Sequence, residues 1–225
     1  MIADALAALE ALADPARGAE MLAYHKAPRR YLGVPVPQIE ALVADWRAGA
    51  TIGARCDLAA ALWQSDIHEA RVAAAKLLTQ ARIRPDGGVW DLICDWTQGF
   101  DAWAIADYAT IAGQKRLTAD PARIATVAGW TASPNMWTRR AALVITLPWA
   151  KMTHPRPEDL AVREMVLVWA QTYVADRDWF IQKAVAGWLR DLSKHDADRT
   201  RAFLADHGAG LKSFARKEAA RHLPG

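Results

Sequence analysis

Trp103 and Asp107 stand four residues apart in the stretch GFDAWAIADYATIAG, residues 99–113. On a helix, side chains four apart lie one above the other on the same face. An indole offers a negative π-face and a carboxylate a full charge, so the pair is suited to a cation or to a transition state that resembles one. Asp101, just upstream, is placed to cap the helix by accepting a free backbone N–H. The plainer alternative is that Trp103 packs between helices and Asp107 is a solvated surface acid.

The pair needs helices to position it, and the chain supplies little else. Apolar residues recur at intervals of three and four in ALAALEAL, IEALVADW, LAAALW, RVAAAKLL, ATVAGW, RRAALVITL, VLVWAQTYV and AVAGWLRDL. Pro15, Pro28, Pro35, Pro37, Pro85, Gly87–Gly88, Pro121, Pro134, Pro155 and Pro157 read as punctuation between these runs. No run alternates apolar with polar residues as a half-buried strand would. The class expected is all-α.

Four segments resemble one another: 62–78, 129–147, 174–192 and 208–223. Each has a polar turn, then a helix that opens with a cation and continues with small apolar residues. The cations are Arg71, Arg139–Arg140, Lys183 and Arg216–Lys217. From Arg71 to Arg140 is 69 positions, from Arg140 to Lys183 is 43, and from Lys183 to Lys217 is 34. The first interval is about two HEAT-length repeats and the others about one. A missing member falls near residue 105, where Trp103 and Asp107 lie. The expected architecture is a HEAT-like helical-repeat solenoid with a concave, cation-lined face: a single domain over 1–225, with N-terminal helices in 1–50 and repeated helical pairs in 51–225. A row of cations on such a face suits a phosphate backbone. The alternative is that these cations bridge neighbouring acids such as Asp66, Glu69, Asp178 and Glu218.

Composition narrows the class further. Hydrophobic residues make up 52% and charged residues 24% of the 225 residues, an ordinary globular balance far from disorder. Eleven tryptophans against four phenylalanines favour filled interhelix gaps or an aromatic-lined groove. The net charge of +3 permits a nucleic-acid partner without requiring one. Cys56 and Cys94 make neither a metal spacing nor a disulfide framework, and H-E-x-x-H is absent. No metal and no cofactor are expected. Without a charged apolar leader or an apolar run of about 18 residues, the expected setting is cytoplasmic, and a monomer is the default.

Taken together, the FIQKA run at 180–184 followed by Leu189–Arg190, NMWTRRAA at 135–142, the Trp103/Asp107 pair, LWQSDIHEARVAAAKLL, the terminal FARKEA at 214–219 and AYHKAPRRYLG at 23–33 resemble the AlkD-type DNA alkylation repair glycosylases. The likeness runs from about Met21 to Leu223. It implies hydrolysis of the N-glycosidic bond of N3- and N7-alkylated purines in duplex DNA, with the lesion held in a remodelled duplex and no deep base-flipping pocket. The family carboxylate falls on Asp107, its helix-mate tryptophan on Trp103, its active-site arginine on Arg140 and a tyrosine near the lesion on Tyr24. Two positions depart from the family pattern. A second active-site tryptophan falls on Gly187, and the nearest indole, Trp188, is one residue and about 100° further round the helix. Either Trp188 serves in substrate binding by a local shift of the helix, or it is core packing and the aromatic clamp lacks one wall. Ala104 stands where many relatives carry an acid.

The chemistry can be argued without the resemblance. Alkylation at purine N3 or N7 leaves a positive charge on the base, so it departs without a proton donor. Scission passes through an oxocarbenium-like sugar. One carboxylate near C1′ stabilises that cation and can orient water, and an indole adds about 0.5–2 kcal/mol of cation–π attraction. A guanidinium such as Arg140 is shaped for a phosphate. Further DNA contacts are expected from Lys26, Arg29, Arg30, Arg71, Arg139, Lys183, Arg190, Lys194, Lys212, Arg216 and Lys217. The competing readings are a non-catalytic relative that binds bent or distorted DNA, and a HEAT-type protein-interaction scaffold.

Overall fold

The computed structural model describes residues 2–223, and these divide between Ala119 and Asp120 into two compact units. The N-terminal unit holds α1 (Ile2–Glu10), α2 (Pro15–His25), α3 (Val36–Arg47), α4 (Ile52–Gln64), α5 (His68–Leu77), α6 (Gly87–Gln98) and α7 (Trp103–Ala119). The C-terminal unit holds α8 (Ile124–Trp130), α9 (Met136–Ile145), α10 (Leu147–Ala150), α11 (Pro157–Tyr173), α12 (Trp179–Ser193), α13 (Ala197–His207) and α14 (Ser213–Ala219). Among the described residues there is no strand, only an isolated bridge between Arg30 and Ile67. The fold is all-α.

Several residues expected to interrupt helices begin them instead. Pro15 and Pro157 open α2 and α11, where a proline gives up an N–H that has no helical partner anyway. Gly87 and Gly88 form the first turn of α6. Side-chain caps are frequent. Asp14 accepts from the N–H groups of Ala16 and Arg17 at 3.0 and 3.1 Å, and Asn135 accepts from Trp137 at 2.9 Å. Asp178 accepts from Phe180 at 2.7 Å. Each satisfies a donor that the helix start leaves open.

α5 is the inner helix of the N-terminal unit and packs on α3, α4 and α7. Its buried residues include Ala70, Val72, Ala73, Ala74, Ala75 and Leu77. Side chains this small let neighbouring helix axes approach closely. α12 has the same part in the C-terminal unit, packing on α9, α11, α13 and α14. Gln182, on α12, is fully enclosed. Its amide nitrogen donates to the carbonyls of Val174 at 3.1 Å and Asp176 at 2.8 Å, and its oxygen accepts from Lys212 N–H at 2.9 Å. The glutamine of the FIQKA run thus ties the turn before α12 to the one before α14.

The sequence intervals are visible in helix register. Arg71 is the fourth residue of α5, while Asp107, Arg140, Lys183 and Lys217 are each the fifth residue of α7, α9, α12 and α14. Asp107 therefore occupies in α7 the place that other helices give to a cation.

Candidate functional site

Trp103 is the first residue of α7 and Asp107 lies one turn on, both half-buried. Below them Ile105, Ala106, Ala109 and Ala112 pack into the core, which fixes the face that the indole and carboxylate share. The start of α7 is tied down by Arg29, whose guanidinium bonds Asp101 and lies 3.4 Å from Asp66. Asp101, expected to cap the helix, is engaged by this buried cation. Asp66 adopts a left-handed backbone (φ 53°), a conformation that aspartate tolerates better than most residues, and it also pairs with Arg71 at 3.0 Å. The starts of α5 and α7 are thereby held in one charge network with the segment that follows α2.

A cavity of about 320 Å³ opens beside the pair, lined by residues of α2, α3, α5 and α7 together with Val34. Trp103, Asp107, His25, His68, Val36 and Ile39 are among its walls. The stretch carrying Val34 is set by a close approach. Gly33 has φ 81°, and a Cβ there would come within 2.2 Å of the Asp14 carbonyl oxygen, so only glycine fits. Glu69, fully buried on α5, holds the same loop: its carboxylate accepts from the N–H groups of Leu32 at 2.9 Å and Gly33 at 2.8 Å.

Rings cluster at and beside this wall. His68 stacks on His25 at 4.7 Å between centroids and on Tyr31 at 4.8 Å, and His25 lies 5.2 Å from Trp103. Tyr24, 70% exposed, turns its ring edge-to-face with Trp103 at 6.0 Å. Burial, reinforced by His25 and Arg29, pulls the His68 pKa down to about 3, and burial followed by Arg29 lowers that of His25. The imidazoles are neutral at physiological pH.

The expected phosphate contacts sort into distinct groups. Arg29 is corrected: its side chain is 1% exposed and bound to two acids, so it positions α7 and does not meet DNA. Arg71 is half-buried, donates to the Trp63 carbonyl at 3.1 Å and lies over the Trp63 ring. Arg30 pairs with Glu10, Arg139 with Asp176, and Arg190 with both Asp191 and Glu218. Lys194 is 3.9 Å from Asp191. Lys26, the left-handed cap of α2, is exposed, as are Lys183, Arg216 and Lys217, with Lys212 half-buried. Lys183 rests 4.6 Å above the ring of Trp179, an exposed indole that also stacks on Phe214 at 5.8 Å. Bridging by local acids thus accounts for Arg71 through Asp66 and Arg190 through Glu218. Asp178 instead caps α12, and Glu69 binds backbone.

In the C-terminal unit Arg140 is 8% exposed. Trp188 takes the packing alternative, which corrects its substrate-binding reading: it is 0% exposed, its ring filling the core around α12, so it lines no binding surface. Gly187 beside it is half-buried, and a Cβ built there meets nothing within 4 Å. No groups of three or more His, Cys, Asp or Glu side chains that could hold a metal ion occur among the described residues. Sequence reasoning missed His25, His68 and Tyr31. All three lie in quoted segments, AYHKAPRRYLG and LWQSDIHEARVAAAKLL, but the stacking that joins residues 25 and 31 to residue 68 exists only through the fold.

These features define an all-α protein of packed helices with an indole and a carboxylate over a small cavity. Over residues 5–223 the chain matches the family described as DNA alkylation repair enzyme, and it belongs to that family. Its fold is shared with a solved structure described as a predicted DNA alkylation repair enzyme from Enterococcus faecalis. That match has 21% identity and a TM-score of 0.74, covering 94% of this chain and 96% of the other. AlkD2 from Streptococcus mutans is similar at 18% identity and a TM-score of 0.63, over 85% of this chain and 91% of the other. The smu.31 protein of Streptococcus mutans UA159 gives 19% identity and a TM-score of 0.63, over 84% and 93%. No curated protein matches the chain. No described helix is long and apolar enough to cross a membrane.

Proposed function

We propose that the protein is a monofunctional DNA glycosylase that hydrolyses the N-glycosidic bond of cationic N3- and N7-alkylated purines in duplex DNA. The observation that carries this reading is the placement of Trp103 and Asp107 side by side on α7, both at the wall of one cavity. As the C1′–N bond breaks, its electron pair moves to the base and cancels the positive charge there. The sugar becomes oxocarbenium-like, and Asp107 offers it a negative charge while orienting the water that attacks C1′. The water proton leaves through the carboxylate or solvent. Trp103 sets its π-face against the cation, and exposed Tyr24 flanks that indole. The assignment of Arg140 to a DNA phosphate rests on the resemblance.

A second reading has one observation in its favour. Trp188 is core and position 187 carries no side chain, so the second indole of the family pattern is missing at its own position on α12. That fits a non-catalytic relative that binds distorted DNA. Duplex carrying N7-methylguanine or N3-methyladenine separates the two. Wild type should release the base, and Asp107→Asn should slow release by roughly 100-fold or more, the scale of losing one transition-state charge contact. Binding without release by wild type would establish the second reading instead.

A further inference from the structure

Of the eleven tryptophans, Trp179 alone is exposed, at 46%. It opens α12, and its ring does not stand by itself. It meets Phe180 edge-on at 5.0 Å and stacks on Phe214 at 5.8 Å, while Phe180 lies 4.6 Å from Trp137. Those three neighbours are half-buried, so a ridge of rings runs along the starts of α9, α12 and α14. Trp137, Phe180 and Phe214 are each the second residue of their helix, and the recurring cation follows three residues later. On a helix that spacing makes ring and cation neighbours on one face. The cations on and before α12 and α14 are available. Lys183, Lys212, Arg216 and Lys217 make no ion pair among the described residues. The acids flanking them in the chain are engaged: Asp176 with Arg139, Glu218 with Arg190, and Asp178 with the Phe180 N–H. Charge complementarity therefore points to a polyanion, and the rings narrow which kind.

We propose that this ridge binds unpaired DNA bases: a single-stranded segment lays its bases against Trp179 and the adjoining rings, while Lys183, Arg216 and Lys217 meet its phosphates. In a duplex each base face is covered by the next base pair, so only a strand that has lost its pairing offers a face to stack on. Cations alone suffice to track a duplex backbone, which would leave the exposed indole without a use. Lys183 rests 4.6 Å over the Trp179 ring in the free protein. At an exposed site that contact is weaker than the stacking of a base on an indole, so an incoming base takes the face and the ammonium swings to a phosphate. The residues of the ridge all belong to the C-terminal unit, whereas Trp103 and Asp107 belong to the N-terminal one. The assignment does not rest on the glycosylase reading.

Fluorescence anisotropy of labelled DNA tests it with probes of equal length: a thymidine strand, the same strand with abasic spacers in place of its bases, and a duplex. The proteins are wild type, Trp179→Ala, Phe214→Ala, Trp179→Phe and Lys183→Gln, each checked for a cooperative melt. Wild type should bind the thymidine strand at least about five-fold more tightly than the spacer strand. Trp179→Ala should weaken the thymidine strand about ten-fold and the other probes by less than about two-fold, with Phe214→Ala doing the same to a smaller extent. Trp179→Phe should restore most of the loss. Lys183→Gln should weaken all the probes and flatten the fall of affinity with salt. Equal affinity for the thymidine and spacer strands, unchanged binding by Trp179→Ala, or an equal loss on duplex overturns the proposal. So does an absence of single-strand binding by wild type, which would leave the ridge to a protein partner. Tighter binding of the matching RNA strand overturns the assignment to DNA.

Discussion

His68 is neutral in the folded chain because burial strips the water that would solvate an imidazolium, while His25 and Arg29 add repulsion. Its folded pKa of about 3 lies below the ordinary histidine value, so the unfolded chain takes up the proton first as pH falls. Stability unaffected above about pH 6.5 is then lost progressively towards pH 3, with a slope of up to about 1.4 kcal/mol per pH unit from this group. Urea unfolding at pH 7.5 and at pH 5 should show that loss in wild type, and His68→Phe should flatten it. A variant as acid-sensitive as wild type would place the effect elsewhere. At this scale the sequence was partly legible. Spacing alone joined Trp103 to Asp107, because both sit on one helix. It could not reveal that Arg29 is buried, since its acids at 66 and 101 reach it only through the fold. Nor could it show that Trp188 faces inward while its neighbour Gly187 opens towards space.

The helices were mostly legible from three-and-four periodicity, which is a local property. Their starts were less so, because a proline that ends one run is equally fit to open the next, as Pro15 and Pro157 do. Register survived best: the recurring cation and the substituted Asp107 fall at the fourth or fifth residue of their helices. The FIQKA run was legible as a motif and not as a clasp, since the carbonyls that Gln182 holds belong to the preceding turn. Glu69 shows the same limit. It reads as an acid available to a nearby cation, yet it binds the Leu32 and Gly33 amides 36 or more residues away. Glu69→Ala leaves both donors buried without a partner and should cost about 3–5 kcal/mol in chemical denaturation, with Glu69→Gln losing less. A change below about 1 kcal/mol in the alanine variant would mean that the loop is held by other contacts.

Taken whole, the molecule carries a small positive excess that is unevenly available. Arg29, Arg30, Arg71, Arg139 and Arg190 are committed to acids, whereas Lys26, Lys183, Arg216 and Lys217 are exposed. If those exposed cations meet duplex phosphates, the slope of log affinity against log salt should flatten by up to about 0.9 for each one removed. Filter binding of wild type and of a Lys183→Ala/Arg216→Ala/Lys217→Ala variant over a salt series measures this, and an unchanged slope takes the three out of the interface. Net charge was readable from composition, but its allocation between partners was not, since it depends on which acids folding brings near. Position 187 deserves a last consideration in the same light. An open Cβ position is reversible in a way that a filled core is not: a methyl group introduced at 187 would meet nothing within 4 Å, whereas moving Trp188 would undo the packing around it. With respect to a side chain at 187, the chain stands a single substitution from the other arrangement, and the first carbon of that side chain would meet no neighbour.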